Sequence, residues 1–182
     1  KVTGAPGNYD VSIKLAPRYV NENCTCCGDC AAVCETEIDS DFDLGMKQIK
    51  AAYQPFEMAF PARYVLSPKI IGTEDAMRCK EACKYDAIDL EMETNTVNLK
   101  VGSLVWATGW EPYDASKIDN LGFGQYENVI TNMMLERLAS PNGPTKGTIQ
   151  RPSDSKDIES IGFVQCAGSR DENHLPSCSY IC

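Results

Sequence analysis

The stretch "CTCCGDCAAVC", Cys24 to Cys34, puts five cysteines within eleven residues. Thiols at that density fold around one another as disulfides or around a metal, and the rest of the composition helps to choose. The chain has ten cysteines, and its opening at Lys1 shows neither the basic segment nor the apolar segment of a secretory signal. The expectation is therefore metal or redox chemistry in a reducing compartment rather than a disulfide scaffold. A net charge of −9 speaks against a nucleic-acid partner, which calls for clustered Lys and Arg. No apolar run approaches the roughly eighteen residues of a spanning helix, so no direct membrane span is expected. At 182 residues the chain can bury a core and hold one or two small domains.

The spacing Cys24-x2-Cys27-x2-Cys30-x3-Cys34 is the one bacterial ferredoxins use for a [4Fe–4S] cluster. Two-residue gaps let a tight loop wrap three thiolates around one face of the cube, and Gly28, Ala31 and Ala32 keep the backbone close. A second, incomplete motif follows at "CKEAC", Cys79 to Cys83. "PRYV" (Pro17 to Val20) before the first motif is echoed by "ARYV" (Ala62 to Val65) before the second. In a two-cluster fold the fourth cysteine of each motif crosses to the other cluster. The expected ligands of the first cluster are therefore Cys24, Cys27, Cys30 and Cys83. In the second motif Ala76 stands where a cysteine is needed, and no cysteine lies between Cys34 and Cys79. Two thiolates do not normally hold a cube, so Cys34 and Cys79 are expected to sit close together as reduced thiols without a cluster. Glu35 stands where ferredoxins usually place proline, and Cys26 is out of register and read as a bystander. A structural zinc site, more often two separated Cys-x2-Cys pairs, is the alternative, and with it a zinc-stabilised interaction module.

Along the chain, residues 1–20 read as a strand or hairpin and 21–90 as the cysteine module, closed by the extended "KYDAIDL". "TVNLKVGSLVWATGW" predicts two strands with Gly102 between them. A helix is expected near Met133–Ala139, capped by Thr131 or Asn132. "SIGFVQC" predicts a buried strand ending at Cys166, and "PSCSYIC" a helix start with Pro176 in its first turn. His174, the only histidine, reads as a solvated loop residue. Arg137, Arg151 and Arg170 read as surface ion-pair residues or partners of phosphate, and no Ser-His-Asp set or catalytic carboxylate pair can be recognised.

The segments "APRYVNENCTCCGDC", "LVWATGWEPYD", "LGFGQYENVITNMMLERLASPNGPTKGTIQRPSD" and "GFVQCAGSRDENHLPSCSYIC" together resemble the soluble heterodisulfide reductase A family across essentially the whole chain. Within it, "ATGWEPYDASKIDNLGFGQY" and "CAGSRDENHLPSCSYIC" look closest to the A subunit of the quinone-interacting membrane-bound oxidoreductase of sulfate reducers. The resemblance implies an α+β and α/β fold, with a ferredoxin-like iron–sulfur module inserted in part of an FAD-binding, thioredoxin-reductase-like domain. The implied division is 1–20 and 91–160 for the FAD-binding domain, 21–90 for the insert, and 161–182 for the start of a second nucleotide-binding-like region.

It also implies an oxidoreductase subunit with FAD beside Ala107, Thr108 and Gly109. The family's Gly-x-Gly-x-x-Gly is absent, so the flavin site would be completed by chain outside this segment. A cysteine followed by Cys-x3-Cys-Cys is a further family motif, and Cys166, Cys178 and Cys182 match its first three positions as ligands of a second [4Fe–4S] cluster. The implied role is electron transfer between FAD, clusters and partner subunits of a membrane-associated complex, with the chain itself cytoplasmic. That complex would link the quinone pool to sulfur metabolism, with adenylylsulfate reductase as a partner. The alternative is an electron-bifurcating heterodisulfide reductase subunit, against which the lost cluster weighs mildly.

Overall fold

The computed structural model describes residues 1–178 and 180. It divides into two compact units, one of residues 1–42 and 48–108, the other of 43–47 and 109–182.

The first unit opens with β1 (Val2–Ala5) and β2 (Asn8–Leu15), an antiparallel hairpin. Gly7 turns the chain at φ 89°, a conformation that costs glycine least. The third strand of that sheet comes from far along the chain. It is β7 (Asn95–Val101), antiparallel to β2 from Tyr9↔Val101 to Leu15↔Asn95. Everything between Leu15 and Asn95 is therefore inserted between two neighbouring strands.

That insert has its own core. It holds α1 (Asp29–Val33), the pair β3 (Glu37–Asp39) and β4 (Gln48–Lys50), the pair β5 (Ala52–Tyr53) and β6 (Val65–Leu66), and α2 (Glu74–Ala82). Helices α1 and α2 pack on each other. Val20, Cys30, Cys34, Ala51, Ala52, Leu66, Ile70, Ala76, Cys79, Ala87 and Ile88 form one buried cluster. Small residues dominate it, which lets two short helices and two short strand pairs approach closely. An antiparallel bridge between Val20 and Ile88, flanked by Asn21 N–H to Ala87 O (2.8 Å) and Asp89 N–H to Tyr19 O (3.1 Å), ties the two ends of the insert together.

In the second unit, α3 (Asn132–Ala139) follows its expected boundaries, and the choice of cap is resolved. The Thr131 hydroxyl accepts from Met134 N–H at 3.3 Å. Arg137 reaches Asp43 at 2.8 Å and Asn142, both within this unit. Arg151 pairs with Asp154.

Four expectations fail. Residues 104–110 form no strand, and Val105 and Trp106 are 90% and 76% exposed. Residues 160–166 are not a strand either, so Cys166 lies in a turn with φ 55° rather than at a strand end. Both runs are apolar enough for a buried strand, yet a strand persists only through pairing, and neither has a partner among the described residues. Pro176, Ser177 and Cys178 are not helical, and Cys182 lies outside the described residues. His174 is half-buried rather than solvated, its Nδ1 2.7 Å from the Tyr113 hydroxyl and its ring edge-on to Tyr113.

Candidate metal centre

The first cysteine loop is shaped by two left-handed residues, Cys26 (φ 57°) and Gly28 (φ 86°), and runs into α1 at Asp29. The result brings all four expected ligands to one place. Cys24, Cys27, Cys30 and Cys83 line a single small cleft, together with Val20, Ala87, Ile88, Gly28, Tyr64 and Tyr85. Cys30 comes from α1, Cys83 from the C-terminal end of α2, and the apolar back wall from the Val20–Ile88 bridge. Among the described residues no three Cys, His, Asp or Glu side chains close on a point as a single ion requires.

The local chemistry fits a cluster. Burial pushes the Cys30 thiol up to about 11; the Ala31 N–H opposes this, while Cys24 and Cys27 add to it. Left alone, such a thiol keeps its proton, and a cationic iron centre is what offsets the cost of the thiolate. Ala87 N–H donates to Cys83 Sγ at 3.4 Å, an orienting contact of the kind that supports ligand sulfurs. Cys26 stands beside the ring of ligands; burial raises its thiol and the Cys24 sulfur lies within hydrogen-bonding reach.

The other half of the motif is closed. Cys34 and Cys79 are buried, with sulfurs within hydrogen-bonding reach of each other, as expected. Burial, then the neighbouring Cys34 sulfur, pushes Cys79 up to about 12. Its thiol donates to Cys30 O at 3.4 Å. Nothing in the sequence singled out the residue that organises this half, Asp75, which is only 5% exposed. Its carboxylate accepts from Glu35 N–H (3.0 Å), Thr36 N–H (2.7 Å), Arg78 Nη2 (2.7 Å) and Cys34 Sγ (3.8 Å). Arg78 Nη1 also reaches Glu35 Oε1 at 3.1 Å. Burial alone would disfavour the charged form of Asp75. The Thr36 hydroxyl and N–H, the Glu35 N–H and the Arg78 guanidinium outweigh it and hold the carboxyl well below the usual range. The one available signal was an acidic residue in the first turn of a helix, which is too common to mark a site.

The remaining expected sites do not assemble. Ala107, Thr108 and Gly109 lie in exposed coil and form no cradle for a flavin. Cys166 and Cys178 are half-buried, in a turn and in coil, and the helical face expected to carry Cys178 is absent. Cys178 Sγ instead accepts from Tyr180 N–H at 3.4 Å.

No helix among the described residues is long and apolar enough to cross a membrane. No protein-family model matches the chain. Over its whole length the chain is similar to part of three archaeal proteins. It is 45% identical to the first iron–sulfur A-type polypeptide of the CoB–CoM heterodisulfide reductase of Methanopyrus kandleri. It is 43% identical to the corresponding iron–sulfur polypeptide of the CoB–CoM heterodisulfide reductase of Methanocaldococcus jannaschii. Identity is 37% to the A-type polypeptide of the H(2):CoB-CoM heterodisulfide,ferredoxin reductase of Methanothermobacter marburgensis. In each case the chain spans 28% of the relative's length.

Proposed function

We propose, from the premise that the whole chain is related to one segment of the iron–sulfur polypeptide of heterodisulfide reductases, that it carries electrons through a [4Fe–4S] cluster held by Cys24, Cys27, Cys30 and Cys83. The observation that carries this reading is the convergence of those four thiols on one cleft, from a loop, a helix and the end of another helix. A bound cluster supplies one-electron transfer. The chain's own residues do the rest. Val20, Ala87 and Ile88 keep water from the inner wall, Gly28 lets the loop turn tightly, and the Ala87 N–H fixes the direction of Cys83 Sγ. The closed second half restricts this module to one cluster, so it acts as a single relay station rather than a two-cluster wire.

The relatives are polypeptides of reductase complexes, so the donor and acceptor are partner subunits of such a complex. The names of the relatives favour a heterodisulfide reductase, including the bifurcating alternative, over the quinone-linked reading with adenylylsulfate reductase. No flavin takes part in this reading, because Ala107, Thr108 and Gly109 form no cradle for one. Cys166, Cys178 and Cys182 are not assigned a second cluster: residues 160–166 are not a strand, residues 176–178 are not helical, and Cys182 lies outside the described residues.

Full-length protein purified without oxygen tests the assignment. Cys83→Ala should lose or convert one cluster, read as iron, acid-labile sulfide and one electron paramagnetic resonance signal, while Cys26→Ala should match the parent. Equal iron and identical spectra in both variants would overturn it.

A further inference from the structure

Tyr64 had no role in the sequence beyond its place in the "ARYV" echo, yet it lines the same cleft as the four thiols. It lies immediately before β6, whose pairing with β5 and whose Leu66 N–H bond to Arg18 O (3.1 Å) fix the backbone there. The phenol reaches back across the cleft to the cysteine loop. A β-carbon built on Gly28 would meet the Tyr64 hydroxyl at 3.4 Å, so the hydroxyl lies against the backbone between Cys27 and Asp29. It makes no hydrogen bond to any other described residue. Tyr85 also lines the cleft but is 47% exposed, whereas Tyr64 is half-buried. The hydroxyl has no protein partner and reaches solvent, so it is free to turn toward the sulfurs beside it, which become anionic on binding iron. A neutral phenol is a donor, and thiolate and sulfide are acceptors.

We infer that Tyr64 donates a hydrogen bond to the cluster's sulfur and thereby raises its reduction potential. The inference rests on the cluster assignment above and adds a positioning residue to it. Reduction adds one negative charge to the cluster. A donor aimed at sulfur stabilises the reduced form more than the oxidised form, which is how hydrogen bonds to sulfur set potentials in such centres. Gly28 belongs to the same corner: its φ of 86° suits glycine and brings the loop backbone against the hydroxyl.

The test is a redox titration of the full-length protein, following the resonance that Cys83→Ala removes. Tyr64→Phe keeps the ring and deletes the donor. It should retain iron and shift the midpoint downward, by up to about tenfold in the reduction equilibrium, or about 59 mV for one electron. Incorporation of 3-fluorotyrosine at position 64, a stronger donor of nearly the same shape, should shift it upward. An unchanged midpoint in an iron-replete Tyr64→Phe protein overturns the inference and leaves the cluster assignment standing. If Cys83→Ala removes no resonance, the assignment itself has failed. If Tyr64→Phe fails to assemble a cluster, the fluorotyrosine protein decides: an upward shift supports the donor and no shift overturns it.

Discussion

Around Cys24, Cys27, Cys30 and Cys83 the chain leaves a space lined by sulfur; around Thr73, Ala76, Cys79 and Cys34, the matching positions of the other half, it fills that space. Ala76 and Cys79 are fully buried, and the polar groups there converge on Asp75 rather than on a cleft. The substitutions in the second half belong together. Where ferredoxins usually have proline, Glu35 contributes an N–H that proline lacks, and Asp75 accepts it. Glu35 also binds the guanidinium that neutralises Asp75. In place of ligands the second half has a buried carboxylate with several donors, which ties α2 to the chain after α1. One half is built to take up charge from outside and the other holds its charge permanently.

This contrast is open to experiment. The largest effect is expected from Asp75→Ala, which leaves the Glu35 and Thr36 N–H groups without their acceptor and removes one of the two carboxylates on Arg78. It should destabilise the module by about 3–5 kcal/mol, from two hydrogen bonds to a charged acceptor at about 1.5–3 kcal/mol each, the half-exposed Arg78 pair adding little. Urea unfolding of the full-length protein, followed by cluster absorbance, measures this. A neutral outcome would mean the second half is not held by its carboxylate. Glu35→Pro comes next, with about 1.5–3 kcal/mol for one lost hydrogen bond to a charged acceptor. The iron content of folded Glu35→Pro protein should equal that of the parent, because the variant restores a residue of the ferredoxin pattern but no ligand. Any gain of iron would show that the second site is dormant rather than replaced.

The smallest effect is in acid. The folded carboxyl of Asp75 is depressed below its unfolded value, so its contribution is complete above about pH 4 and is lost as pH falls further. Only the upper part of that loss falls within a usable range. Between about pH 5 and 3 the stability of the parent should therefore fall somewhat more steeply than that of Asp75→Asn, and parallel curves would count against the assignment.

How much of this could be read from the residues divides along the same line. The four-cysteine cleft was legible because ligand spacing is a local constraint that one metal cluster imposes on a chain. The contact of Cys34 with Cys79 followed from the same pattern. The role of Asp75 was not legible, since a buried carboxylate is recognised by the N–H groups that surround it, and Glu35 and Thr36 lie about forty residues away. The runs at 104–110 and 160–166 misled in a different way. Their apolar residues would suit a buried strand, but periodicity cannot supply the neighbour that a strand needs. Thr131 could be read as a helix cap because its chemistry is complete within three residues.

The pairing of Leu15 with Asn95 has a consequence for how such a protein can be assembled. Partners across an antiparallel ladder lie roughly 4.5–5.5 Å apart, so the points where the cluster module leaves and rejoins the sheet are neighbours in space. A turn of two or three residues could close β2 onto β7 directly. The module is in that sense a cassette: its excision would leave an uninterrupted meander, and its ends lie close enough together to be spliced into a hairpin of another host.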